Sequence, residues 1–150
     1  MRAVIQRVSE ASVTINDEVS SKIQRGLLIL LAVTHNDTTE DIEWMTRKLV
    51  GMRIFSDEAG AMNLSVEDVH GDILVISQFT LMSSTKKGNR PSFLEAARPE
   101  KAVPLYEEFV STLSRKLNKP ILTGEFGADM KVSLLNDGPV TIILDTKEKK

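Results

Sequence analysis

The chain has 150 residues, 41% of them hydrophobic, with 19 Lys and Arg against 21 Asp and Glu. That length and apolar content suit one domain, residues 1–150, able to bury a core without staples, and the absence of cysteine excludes disulfides, a thiolate nucleophile and Cys-based zinc sites. A net charge of −2 excludes nucleic-acid binding through a global basic field, so any RNA contact must be local.

The opening residues, Met1-Arg2-Ala3-Val4-Ile5-Gln6-Arg7-Val8, alternate apolar and polar instead of forming the apolar run of a secretory leader, and cytoplasm is the expected location. Val4, Gln6, Val8 and then Val13, Ile15 follow period two, the pattern of half-buried antiparallel strands. Asn16-Asp17 supplies the turn before a strand over Val19 to Ile23. Leu27 to Val33 is apolar throughout; it is far shorter than the roughly 20 residues of a membrane span and reads as a buried central strand, with no membrane partner expected. From Thr38 or Thr39 to about Gly51, Ile42, Met45, Leu49 and Met52 recur at helical spacing. Thr38 and Asp41 form a capping pair at the start and Gly51 a stop.

Arg53 to Ser56 reads as a strand, Asp57 to Gly60 as its turn, and Ile73 to Leu81 as one long strand. A second helix falls between Pro99 and Leu117, with Tyr106, Phe109, Val110, Leu113 and Leu117 on one stripe; Pro104 leaves its first turn open. Ile121 to Thr123, Met130 to Leu135 and Val140 to Leu144 are further strands, and Lys147 to Lys150 a solvated tail. Without βαβ alternation, the fold class is α+β: a curved, largely antiparallel sheet or partial barrel with two main helices packed on one side.

Two polar stretches interrupt the apolar pattern. Ser77-Gln78-Phe79-Thr80 closes the Ile73 to Leu81 run with polarity on both faces, as a site at a strand end or as a strand emerging into solvent. Asn136-Asp137-Gly138-Pro139-Val140-Thr141 reads first as an Asp-Gly hairpin turn, although Pro139 removes a ladder donor where the next strand should begin and admits a cis peptide. Neither stretch holds a metal-ligand spacing, so chemistry there rests on hydroxyls, an amide and the backbone. His35 and His70 read as loop residues, and the carboxylates of Asp57, Glu58, Asp41 and Glu43 as solvated faces. Lys86-Lys87-Gly88-Asn89-Arg90 is the one concentrated basic loop, either solvated or in contact with phosphate.

Taken with Arg2 to Val8 and Arg90-Pro91-Ser92-Phe93, the segments Ser77-Gln78-Phe79-Thr80-Leu81 and Val132 to Thr141 closely resemble the D-aminoacyl-tRNA deacylase (D-tyrosyl-tRNA deacylase) family along nearly the whole chain. The resemblance implies a cytoplasmic homodimer that hydrolyses the ester between a D-amino acid and the 3′-terminal adenosine of tRNA and rejects the L form, with no metal or other cofactor. It implies that Gly138-Pro139 is cis and enters the partner subunit's site, with Asn136 and Thr141 in the same chirality-selecting segment. Ser77, Gln78, Phe79 and Thr80 would form the catalytic pocket, with Met130 beside the adenosine. Lys86, Lys87 and Arg90 would contact tRNA phosphates. Two mechanisms stay open: backbone N–H groups near Phe79 acting with the substrate's 2′-hydroxyl, or Thr80 as nucleophile. A site that reads only the α-carbon would poorly reject glycyl-tRNA. The alternative is a non-catalytic β-rich module that binds RNA or a small ligand.

Overall fold

Apolar residues fill both faces of one curved sheet. The computed structural model describes residues Met1–Lys150. Its strands are β1 (Arg2–Ile15), β2 (Glu18–Ile23), β3 (Gly26–Ala32), the short pair β4 (Phe55–Ser56) and β5 (Met62–Leu64), then β6 (Asp72–Ser77), β7 (Leu122–Thr123) and β8 (Lys131–Asp145); the helices are α1 (Thr39–Gly51) and α2 (Pro99–Leu117). The main sheet runs β2-β1-β3-β6-β7, with β8 on the other side of β1 as an edge strand. Pairing is antiparallel around β1 and parallel for β3 with β6 and β6 with β7. The α+β class with a curved sheet and two helices is thus observed, and the sheet is mixed. Curling brings β2 across to β7, where the Ser21 hydroxyl donates to the Thr123 carbonyl at 2.6 Å.

Alternation divides the core. Ala3, Ile5, Leu27, Ile29, Leu31, Ile73 and Val75 face the two helices, whereas Leu28, Leu74 and Ile76 face the concave interior with Val8, Ala11 and Val13. Along β1 the parity slips between Val8 and Ala11. There Val8 pairs with Asn136 and Glu10 with Leu135, so a bulge at Ser9 re-aims the strand. This is why the expected pair of N-terminal strands is one long bent strand: the bulge lets a single segment serve both cores.

The α1 cap forms as its sequence requires. The Thr38 hydroxyl accepts the Glu40 N–H at 3.3 Å, and Asp41 Oδ2 accepts the Thr38 N–H at 2.9 Å. In α2, Pro99 takes the first position and Pro104 lies inside the helix on its exposed side, so the open question of its start resolves in favour of Pro99. Asn118, in the left-handed region at φ 57°, ends it.

Three expectations need correction. The run Ile73 to Leu81 is a strand only to Ser77; Phe79–Met82 is a 3₁₀ turn, because the Gln78 N–H still bonds to Leu31 O at 2.8 Å while Leu81 N–H turns back to Gln78 O at 3.2 Å. The two C-terminal strands are one, β8, with no hairpin at Asp137-Gly138. Lys147 is also no part of a free tail, since its ammonium lies 3.0 Å from Asp41 and 3.7 Å from Asp37, whose Oδ1 holds the buried Met1 ammonium at 2.5 Å.

Burial would raise the Asp41 pKa, but hydrogen bonds from Thr146, the Thr38 backbone and Lys147 outweigh it and hold the carboxyl at about 2, below its ordinary 3.8. A depressed carboxyl stabilises the fold fully above its unfolded value and loses that contribution as pH falls through the folded one. The acid limb of stability between about pH 4 and pH 2 should therefore be shallower in Asp41→Asn than in the parent, as read from urea midpoints. Identical acid limbs would show that this carboxylate carries no linkage.

Candidate active site

Where β6 ends and the 3₁₀ turn begins, the sheet and α2 leave a cavity of about 330 Å³. Ile76, Ser77, Gln78 and Phe79 form one side, Ala102 and Tyr106 of α2 the floor, and the segment from Phe126 to Met130 the opposite wall. The small side chains of Ala32, Ala97 and Ala102 keep the space open. Gly124 does the same for the wall: a Cβ there would lie 2.4 Å from Met130 Sδ, so only glycine lets Met130 fold back onto it.

Aromatic rings fix the walls. Phe79, 57% exposed, meets Phe93 edge-on at 5.2 Å. Tyr106 packs on Phe126 with ring centroids 5.8 Å apart, and its hydroxyl donates to Val75 O at 3.3 Å. Burial pushes the Tyr106 pKa up to about 12 against an opposing hydrogen bond with Thr123, so the ring presents a neutral hydroxyl at physiological pH. At the turn, Gln78 Nε2 donates to Thr80 Oγ1. Arg2 Nη1 donates to Leu81 O at 2.7 Å and its Nε to Asp145 at 2.9 Å, tying the turn to β8. The N–H groups of Phe79 and Thr80 head this turn and have no acceptor within it.

The second polar stretch forms a protrusion. On β8, Thr141 pairs with Gln6 and Asn136 with Val8, so four residues, Asp137 to Val140, pass opposite the single residue Arg7. Asn136 bridges the base, its Nδ2 donating to Arg7 O at 3.0 Å and Val140 O at 3.1 Å while Oδ1 accepts from the Thr141 hydroxyl at 3.4 Å. The Arg7 guanidinium holds the flank, donating from Nε to Asp137 O at 3.0 Å and from Nη1 to Ile54 O at 2.7 Å. Gly138-Pro139 is a cis peptide, and both residues are exposed at the tip.

A single chain thus brings Ser77, Gln78, Phe79 and Met130 around one cavity. Thr80 lies outside the lining, exposed at the rim, and Asn136, Gly138, Pro139 and Thr141 lie elsewhere, on β8. Lys86, Lys87 and Arg90 are exposed on a loop closed by reciprocal Ser84 and Ser92 backbone bonds of 2.8 Å, next to Phe93. Neither His35 nor His70 reaches the cavity, and no three His, Cys, Asp or Glu side chains converge as a metal-binding group. Arg7, Tyr106 and Phe126 were not singled out from sequence as site residues. For Arg7 a signal existed: alternation puts it on the core-facing side with Ala3 and Ile5, where a charge needs a specific partner.

Compared with known proteins, residues 4–145 match the family model for D-Tyr-tRNA(Tyr) deacylase. A curated D-aminoacyl-tRNA deacylase of Bacteroides thetaiotaomicron is 61% identical over 150 residues, covering all of both chains. The solved structure titled c-Myc DNA Unwinding Element Binding Protein superposes with a TM-score of 0.93 at 43% identity, covering 97% of this chain and 99% of that one. A probable eukaryotic D-amino acid tRNA deacylase shares the fold alone, at a TM-score of 0.84 and 17% identity over 95% of this chain and 97% of that one.

Gly138 sits at φ +128°, and a Cβ on it would lie 2.8 Å from Arg7 Nη2 and 2.9 Å from Val140 Cγ2. Gly138→Ala should therefore lower unfolding free energy by about 1–3 kcal/mol, measured by urea denaturation. An unchanged midpoint would mean that the loop accommodates a side chain without strain.

Proposed function

The chain belongs to the D-Tyr-tRNA(Tyr) deacylase family, and on that premise we propose how its own residues carry the reaction. The protein hydrolyses the ester of D-aminoacyl-tRNA, releasing a free D-amino acid and tRNA. In our reading, the whole chain acts as one cytoplasmic deacylase domain. The terminal adenosine and the ester occupy the cavity behind Phe79, with Met130 against the adenosine. Ser77, Gln78, Phe79 and Thr80 surround the reacting carbonyl. The observation that carries this reading is the cavity at the end of β6, walled by the same polar segment that sequence alone set apart.

The chemistry needs little from titrating groups. An aminoacyl ester beside a 2′-hydroxyl is already labile, and one well-placed oxyanion donor contributes about 10² to 10³ in rate. The Phe79 and Thr80 N–H groups are free to serve as such donors, with the 2′-hydroxyl assisting water. Thr80 is the weaker candidate for a nucleophile: its hydroxyl accepts from the Gln78 amide, a donor and not a base, and activation requires a base.

Chirality is read, in this account, by the Gly138-Pro139 segment of a second copy. β8 is an edge strand that carries exposed Leu135 and Ile143 on either side of the protrusion. Exposed apolar groups on a free edge favour pairing with another chain, and a two-fold dimer would deliver each protrusion to the other's cavity. Its carbonyls would accept hydrogen bonds from the substrate ammonium. Fixed backbone then discriminates at the α-carbon and leaves D side chains uncontacted. In the same reading Lys86, Lys87 and Arg90, exposed on the loop that leads into Phe93, whose ring meets Phe79, contact tRNA phosphates without reading sequence.

Release of amino acid from D-tyrosyl-, L-tyrosyl- and glycyl-tRNA, measured with excess chelator, tests the reading. D-tyrosyl- and glycyl-tRNA should be cleaved and L-tyrosyl-tRNA spared. Equal cleavage of both tyrosyl enantiomers, or activity abolished by the chelator, would refute it.

A further inference from the structure

Tyr106 and Phe126 line two cavities, not one. Beside the cavity described above lies a larger one, about 640 Å³, between α2 and the segment from Pro120 to Thr123, and the two adjoin along this ring pair, which lines both. Its lining combines apolar Val103, Val110 and Ile121 with polar Glu107, Ser111 and Arg115. Such a volume is that of a ligand pocket, and such a mixture suits a flat ring with a polar edge. The Arg115 guanidinium, at the last turn of α2, makes its hydrogen bonds to hydroxyls, Nη1 donating to Ser111 at 3.1 Å and Nη2 to Thr112 at 3.2 Å, with the Glu43 carboxylate near enough to feel its charge.

We propose that this second cavity is a subsite for the penultimate nucleotide of the tRNA acceptor end, a cytidine. The inference rests on placing the terminal adenosine in the first cavity. The nearest space of base size to an adenosine seated there is the second cavity, which adjoins the first along Tyr106 and Phe126. Phe126, partly exposed, offers a face for stacking, and Ser111 and Glu107 offer hydrogen-bond partners to the base edge. Arg115 supplies the cation for the linking phosphate. Because every tRNA ends in the same CCA sequence, a subsite for cytidine adds affinity without selecting among tRNAs. It also gives the enzyme a hold on polynucleotide that a free aminoacyl-adenosine lacks.

Calorimetric titration with adenosine and with the dinucleotide cytidylyl-(3′→5′)-adenosine tests this directly. The parent should bind the dinucleotide about ten-fold more tightly than adenosine. Ser111→Trp, which fills the cavity, and Arg115→Ala, which removes the cation and fills nothing, should each remove that gain and leave adenosine binding unchanged. In parallel, both variants should lose about ten-fold in kcat/KM on D-tyrosyl-tRNA and nothing on D-tyrosyl-adenosine. Equal affinity of the parent for the two ligands, or an equal loss on both substrates, would overturn the subsite. A parent that cleaves no D-tyrosyl-tRNA would instead refute the deacylase reading, while the dinucleotide titration would still decide the cytidine subsite.

Discussion

The excursion of β8 opposite Arg7 is the constraint on which the rest of the site depends. An edge strand that loops out four residues against one forfeits ladder bonds and leaves backbone groups needing partners. Here Asn136 and Arg7 supply them: the amide closes the base by bonding across it, and the guanidinium clamps one flank to the carbonyl of Ile54. The Arg7 side chain is only 11% exposed, and its charge meets two fixed carbonyls, of Asp137 and Ile54, and the Asp137 carboxylate at 3.7 Å in place of water. The tip is thus held from below while facing outward, which is what a reader of another chain's substrate requires.

The cavity has the complementary character. Its walls are rings and small side chains, and its one strongly shifted titrating group is a tyrosine held neutral; its polar groups are hydroxyls, an amide, backbone N–H and the exposed Asp129 carboxylate, which is paired with Lys131. Such a site places reacting atoms and stabilises developing charge, but it does not store a proton near neutrality. That fits ester hydrolysis of an activated substrate, where orientation and oxyanion stabilisation suffice. The proposed division of labour follows: the cavity of one protomer holds the adenosine and ester, and the protrusion of the other inspects the α-carbon.

Much of this was legible in the residues. The α1 capping pair Thr38 and Asp41, the all-apolar β3 and the stripe of α2 each state a local preference that the tertiary structure obeys. The failures share a cause, because each depends on partners distant in sequence. β6 stops at Ser77 since the Gln78 N–H still finds Leu31 while the residues after it turn back, and nothing local marks that change. The Asp-Gly hairpin signal was overridden because β1 pairs with β8 on both sides of the excursion, making one strand of two. The parallel pairing of β6 with β3 and β7 was likewise invisible, since apolar runs do not encode direction. For the site, the polar segments were readable as interruptions, whereas Tyr106 was absorbed into the core stripe of α2 and Phe126 fell outside every expected element.

The central claim is that a working site contains the cavity of one protomer and the Gly138-Pro139 segment of the other. A purified heterodimer that combines Ala128→Trp, which blocks the cavity, with the double variant Gly138→Ala and Pro139→Ala, which alters the protrusion, tests it most directly. One of its two sites then joins an intact cavity to an intact protrusion, so deacylation of D-tyrosyl-tRNA should return to about half the parental rate from two inactive homodimers. A heterodimer as inactive as both homodimers would contradict the account.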